Sequence, residues 1–334
     1  MSLLDRERIK LLTLQRIVAP ELERFEAELA ALMAGGTPLA REICDHIQQG
    51  RSKRFRPTLL LLAAKADGPV DERAVAAAAS VELVHNATLV HDDFIDGALT
   101  RRGLPSVNRA WGEAAALIMG DYLYARALDV LCRRGLDDAV RQLAATTFLM
   151  SEAEMLQLES KFSLDVDEAL YLRIIAGKTA SLIEAACEIG ASFNPRANGH
   201  GAAFGRFGRK VGLVFQITDD IFDYLGDERR LGKPTGQDWE EGRVTLPLIA
   251  SLRQAPPAAS AAFTAAASGA TGTAWKDLWP QVKAFVGEHG GVDYARALAR
   301  QYSEEAKAEL APVVAGPQKD LLAAAAEYVI HRLN

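Results

Sequence analysis

The sequence predicts an all-α chain, and three observations predict it. Alanine is abundant, β-branched runs are short, and no stretch sustains the apolar–polar alternation of a half-buried strand. Apolar residues recur instead at mixed three- and four-residue steps, as at Val81, Val84, Ala87, Thr88 and Val90. With 334 residues, 49% of them apolar, the chain can bury a large core. No composition break divides it, so a single domain over residues 1–334 is expected.

In chain order, Leu3–Ile17 and Glu21–Met33 read as amphipathic helices, the second preceded by Pro20 and stopped by Gly35 and Gly36. Pro38 starts a short helix that ends near Gly50. Arg51, Lys53, Arg54 and Arg56 then crowd the turn before an apolar helix, Thr58–Ala66. Cations beside a helix start suit anion binding, although a solvated basic turn has the same composition.

The next helix runs up to three aspartates. Asp92 and Asp96 are four residues apart and share a face, with Asp93 turned about 100° away. Like charges at this spacing repel, so the cluster costs stability unless cations sit between the carboxylates. Hard oxygen donors without His or Cys point to Mg²⁺, which takes one or two carboxylates plus phosphate oxygens. Arg101 and Arg102 follow at short reach and supply the charge-assisted bonds that phosphate favours. His85 lies seven residues before Asp92 on nearly the same face, either a core residue or a ligand. His91 precedes the aspartates directly and is left outside the candidate site.

Leu104–Asn108 reads as a loop, and Glu113–Arg133, Leu136–Ser160 and Asp167–Ile189 continue the helical series. Asp121 interrupts the first of these and is given a structural role. Gly177 sits inside the third, just before Lys178 and Thr179. It weakens the helix by about 1 kcal/mol relative to alanine, which suits a kink with freed carbonyls.

Phe215–Asp238 then repeats the acidic arrangement. An apolar helix through Val211, Val214, Phe215 and Thr218 ends in Asp219, Asp220 and Asp223, and a basic loop follows. Two such helix ends can face one another across a cavity mouth and hold Mg²⁺ ions and an oligo-anion between them. Gly226–Gly242 reads as a mobile lid, after which apolar Val244–Leu252 resumes. Gln254–Thr273 is low in complexity and reads as a variable surface segment. Trp275–Val286, Val292–Ala311 and Lys319–Arg332 are the closing helices.

The net charge of −6 opposes non-specific nucleic-acid binding. No leader sequence opens the chain and no apolar run reaches about 18 residues, so a cytoplasmic protein without membrane insertion is expected. Cys44, Cys132 and Cys187 have no CxxC spacing and read as buried reduced thiols.

Five motifs in order resemble those of the trans-isoprenyl diphosphate synthases, especially the long-chain polyprenyl branch. SKRFRP (Ser52–Pro57) is similar to GGKRxRP. HDDFID with RRG, Lys178-Thr179, FQITDDIFD and GKPTGQDWEEGRVTLP (Gly232–Pro247) follow. The resemblance runs from Lys53 to Leu248. Arg51-Ser52 replace the leading Gly-Gly, and Arg243 stands where lysine is common.

The resemblance implies a helical bundle with a central apolar cavity, and a homodimer. The N-terminal helices within residues 1–50 would lie outside the catalytic core and contribute to dimer packing. The implied reaction condenses an allylic diphosphate, farnesyl or geranylgeranyl, head-to-tail with isopentenyl diphosphate. Asp92, Asp96 and Asp219, with Asp93, Asp220 and Asp223 in or near the shell, would hold three Mg²⁺ ions when substrate is bound. Lys53, Arg56, His85 and Arg102 would bind isopentenyl diphosphate; Arg101, Lys178, Lys233 and Arg243 would bind the allylic diphosphate. Thr179 and Gln216 would direct oxygen atoms towards the carbocation, and the bound diphosphate would take the departing proton.

Thr88 and Ala87 lie about 6 and 7.5 Å below Asp92, with Val84 a turn further. Short-chain members place a bulky aromatic there, so these small residues imply a product longer than geranylgeranyl, its floor formed by the Leu117–Leu131 helix. A class I terpene cyclase would lack the KRFRP site and the second aspartate cluster. A non-catalytic subunit of a heteromeric synthase would have lost an acidic motif. A farnesyl or geranylgeranyl synthase differs only in product size.

Overall fold

Helices α1 (Ala19–Met33) and α2 (Pro38–Gln49) each start with proline in the first turn, where its missing N–H is no loss. The computed structural model describes residues 11–50, 52–65, 69–197, 199–225, 235–313 and 317–331. Helix α3 (Phe55–Ala64) is apolar on nearly every side and accordingly buried, with Leu59 to Leu62 fully enclosed. Helix α4 (Glu72–Ile95) is capped by the Asp71 carboxylate, which accepts from the Arg73 N–H, and carries the first acidic cluster at its far end.

A hairpin absent from the sequence expectation follows. Strands β1 (Thr100–Arg101) and β2 (Leu104–Pro105) pair antiparallel around Arg102 and Gly103, which have φ of 53° and 82°. A two-residue hairpin turn of this kind needs positive φ at both central residues, so Arg102 is held in a conformation glycine would adopt freely.

The chain continues through α5 (Glu113–Arg133), α6 (Asp137–Glu159) and α7 (Glu168–Ile175). A π-turn at Ala176–Ala180 then leads into α8 (Ser181–Ser192) and α9 (Gly201–Leu225). Thus the single helix expected over Asp167–Ile189 is interrupted at the glycine. Helices α10 (Leu246–Gln254), α11 (Pro257–Ala267), α12 (Trp279–Glu288), α13 (Gly291–Glu309) and α14 (Pro317–His331) complete the chain. The low-complexity stretch therefore contains a helix, α11. The helix expected from Trp275 is broken into a short turn, Gly272–Lys276, and α12.

Helix α4 packs on α1, α3 and α5, while α9 packs on α8 and α13. Helix α8 touches both α4 and α9, and the π-turn at its start packs on α6 and α9, from where Lys178 reaches Asp92 at the end of α4. The approach is close: a Cβ at Gly212 of α9 would stand 2.4 Å from Ala180 Cα.

The N-terminal segment reaches the basic loop. Gln15 donates to the Lys53 carbonyl at 3.0 Å, and Glu26 on α1 accepts from Arg54 at 2.8 Å. Cys44 and Cys187 are buried as expected, but Cys132 is exposed, on the outer side of the last turn of α5. Among the described residues, no helix is long and apolar enough to cross a membrane.

Candidate active site

The first acidic cluster divides as its spacing implies. Asp92 and Asp96 open towards neighbouring elements, whereas Asp93 is 3% exposed and accepts from Arg101 Nε at 2.8 Å and from a second nitrogen of the same guanidinium. Asp93 is thereby an anchor for the hairpin arginine rather than a rim group. Asp92 lies 3.6 Å from Lys178, whose Nζ is also 2.5 Å from Glu154 on α6. Asp96 accepts from Lys161 at 3.0 Å on one oxygen and from Arg243 at 3.1 Å on the other. Burial raises the Asp92 carboxyl against the pull of Lys178. Burial also works to raise Asp96, but Arg243 and Lys161 outweigh it and hold that carboxyl low.

On α9, Asp219 is half-buried and its charge is felt by Arg56. Asp220, expected as a metal ligand, is 2% exposed with both oxygens engaged: it accepts from the Tyr171 hydroxyl at 2.6 Å and from Gln216 Nε2 at 2.7 Å. The Thr179 hydroxyl donates to the other end of Gln216 at 2.7 Å. Burial, then Asp238, pushes Asp220 well above the usual carboxylate range. Asp223, also expected as a ligand, accepts the backbone N–H groups of Gly236, Gln237 and Asp238, each at 3.0 Å. Burial and Asp238 nonetheless push it up to about 6. Asp223 therefore fastens the start of the Gln237–Glu240 turn.

Arg243 joins the two clusters. Its guanidinium contacts Asp96, Asp238 at 3.0 Å, and Glu241, and the Asp238 N–H is the one held by Asp223. Burial opposes its charge, but Asp238, Glu241 and Asp96 more than offset this and raise its pKa. Expected to meet a diphosphate directly, Arg243 instead stands among three carboxylates, because the turn after Asp238 brings it over Asp96.

The basic motif sits beside this rim. Ser52, in place of glycine, donates to buried Glu82 at 3.2 Å, and Glu82 accepts from Arg54 at 2.8 Å, so the substitution is absorbed locally. Arg56 reaches His85 Nε2 at 3.2 Å, and its own Nε is buried with no hydrogen-bond partner. Burial, reinforced by Arg56 and Arg102, pushes His85 well below its ordinary value, leaving a neutral ring that accepts from Arg56. Burial likewise lowers Arg102. Lys53 is exposed at the loop. Lys233 lies outside the described residues. Below the rim, Thr88 is half-buried and bonds the His85 carbonyl at 2.9 Å, while Ala87 and Val84 are enclosed at 3% and 0% exposure.

Sequence reasoning missed Glu154 and Lys161. Glu154 and Gln157 are three apart on α6, a spacing readable in the sequence, whereas Lys161 lies in the turn just after the helix ends at Glu159. Tyr171 and Glu82 carried no comparable local signal. The donor set fits a hard divalent cation: carboxylate oxygens with no sulfur or imidazole among them. Among the described residues, no three acidic or His/Cys groups converge on one point. Each ion would thus take one or two carboxylates and complete its shell with phosphate oxygens. Lys178, Lys161 and Arg243 supply the positive charge between carboxylates that the sequence demands.

A family model described as polyprenyl synthetase matches residues 37–275. The chain is 31% identical to an octaprenyl diphosphate synthase from Haemophilus influenzae, over 88% of each chain. It is 33% identical to a short chain isoprenyl diphosphate synthase from Methanothermobacter thermautotrophicus, over 86% of this chain and 89% of the relative. Its structure superposes on that of a polyprenyl synthase from Caulobacter crescentus, complexed with calcium and isoprenyl diphosphate, with a TM-score of 0.86, 30% identity, and 96% and 97% coverage.

Proposed function

The chain belongs to the polyprenyl synthetase family, and on that premise we propose that it condenses an allylic diphosphate, farnesyl or geranylgeranyl, head-to-tail with isopentenyl diphosphate to build a long-chain all-trans polyprenyl diphosphate. The observation that carries this reading is the Asp96–Arg243–Asp238–Asp223 chain, which ties both acidic clusters to one rim beside the basic motif.

Asp92, Asp96 and Asp219 would hold Mg²⁺, three ions with substrate present; when bound, it supplies Lewis-acid stabilisation of the leaving diphosphate. Asp93 and Asp220 orient Arg101 and Gln216, and Asp223 orients the turn after it. As the allylic carbon–oxygen bond breaks, negative charge grows on the diphosphate, where Lys178 and Arg101 are preorganised to meet it and Lys233 would add a third cation. The Thr179 hydroxyl donates to Gln216, which leaves its oxygen lone pairs for the allylic cation. Lys53, Arg56 through its unpaired Nε, and Arg102 hold isopentenyl diphosphate, with neutral His85 steering Arg56. The new carbon–carbon bond forms at the allylic carbon, and the proton lost from C2 passes to the released diphosphate.

Thr88, small and half-buried below the rim, supports a long product, while Ala87 and Val84 are enclosed beside it. The similarity to a relative named for short chains favours a second reading, a farnesyl or geranylgeranyl synthase. One assay separates them: incubation with labelled isopentenyl diphosphate, farnesyl diphosphate and Mg²⁺, followed by product sizing. Products beyond geranylgeranyl are expected. A ladder that stops at or below geranylgeranyl overturns the long-chain reading, and no prenyl transfer at all overturns the function.

A second copy of the chain would cover the apolar face formed by Leu117 and Ile118 on α5 with Phe148, Leu149 and Met155 on α6, where Ile118 and Phe148 are each 65% exposed. The whole chain would act as one domain in the cytoplasm.

A further inference from the structure

Two tryptophans lie under the turn that carries Arg243. Trp239 and Trp275 are both 1% exposed, with rings stacked at 3.8 Å between centroids and 13° between planes. Each indole N–H donates to the other residue's backbone carbonyl, Trp239 to Trp275 at 2.8 Å and Trp275 to Trp239 at 2.6 Å. Such a reciprocal pair leaves neither indole nitrogen unsatisfied in the interior, so both its register and its orientation are determined.

Trp275 holds a second segment as well. The Phe162 ring meets it edge-on at 5.4 Å and 87°. Phe162 has a φ of 61°, and its N–H donates to the Gly242 carbonyl at 2.8 Å. A Cβ at Gly242 would stand 2.8 Å from the Phe162 ring, so the Gly242 backbone lies directly against that ring. Phe162 follows Lys161, and Trp239 follows Asp238, the carboxylate that clasps Arg243. The two cations on Asp96 therefore come from separate segments that meet on one indole.

We propose that Trp275 is a positioning residue for the ionisation step, setting Lys161 and Arg243 on the two oxygens of Asp96 through its contacts with Phe162 and Trp239. It touches none of the reacting groups and lies well over one hundred and seventy residues from Asp96 in sequence, at the last position of the family match. This rests on the proposed function, since it concerns the same rim.

The test compares Trp275→Leu, which loses both stacking and N–H, with Trp275→Phe, which keeps a ring but not the donor. Phe263→Leu, in the separate Phe263–Phe285 stack, serves as a packing control. For Trp275→Leu we expect kcat to fall about tenfold or more, because small misplacements of charged groups are costly. The KM for isopentenyl diphosphate should stay within about twofold, since the indole's contacts are with Trp239 and Phe162 and not with the residues proposed to bind it. Trp275→Phe should recover part of the loss, and calorimetry should show weaker binding of inorganic diphosphate with Mg²⁺ to Trp275→Leu alone. Wild-type kcat in a folded Trp275→Leu protein overturns the proposal. So does a loss that Phe263→Leu reproduces at equal thermal stability. If the wild type transfers no prenyl group, the proposed function falls, and undiminished diphosphate binding by Trp275→Leu overturns the positioning role separately.

Discussion

At the scale of single residues, charge state and burial decide what each group can do. His85 is kept neutral by burial and by Arg56 and Arg102, its folded value lying well below the ordinary 6.5. A depressed histidine binds fewer protons folded than unfolded, so its contribution is intact above that ordinary value and fades as pH falls beneath it. The thermal midpoint should therefore drop between about pH 7.5 and 5.5, and His85→Gln should flatten that part of the profile in calorimetric scans. An unchanged slope would assign the titration elsewhere. Below it on α4, Thr88 is half-buried whereas Ala87 is enclosed. Thr88→Phe should shorten the product while leaving the protein stable. Ala87→Phe should chiefly lower the thermal midpoint, since overpacking a filled interior costs about 1–3 kcal/mol. Product sizing and melting curves on both variants distinguish the two positions.

At the scale of elements, the π-turn shows what was legible and what was not. The glycine before Lys178 marks an interruption in the sequence, and the interruption is there. Its cause differs from intrinsic helix weakness: a Cβ at Gly177 would stand 2.6 Å from Ala153 Cβ and 2.9 Å from the Leu149 carbonyl. The glycine thus lets α6 approach, which brings Glu154 to Lys178. Gly177→Ala should destabilise the fold by about 1–3 kcal/mol and reduce turnover, and Ala153→Gly in the same chain should restore part of both. No restoration would place the strain outside this contact. The split between Asp92 and Asp93 was readable because helix geometry is local. The fate of Asp220 was not, because Tyr171 stands 49 residues away, and Arg243 meets Asp96 across 147 residues. The hairpin escaped notice because two-residue strands leave no periodic trace.

At the scale of the whole molecule, two kinds of surface meet at α5 and α6. Their inner faces complete the rim and the interior, with Glu154 on Lys178 and Leu123 and Leu143 fully enclosed, and Lys161 in the turn after α6 on Asp96. Their outer faces leave Ile118 and Phe148 each 65% exposed and Met155 61% exposed. Exposed large apolar side chains on two neighbouring helices suit an interface, and the same patch on two copies would be self-complementary about a two-fold axis. Sedimentation of the wild type should give twice the mass of the chain, and Ile118→Glu with Phe148→Glu should give the single mass. Because Glu154 is on α6 with Phe148, and Lys161 follows directly in the turn after that helix, loss of the second copy should loosen the segment that carries them. The monomeric variant should therefore lose turnover along with mass. A monomer that keeps wild-type turnover would mean that the rim is complete within one chain and that the outer face serves assembly alone.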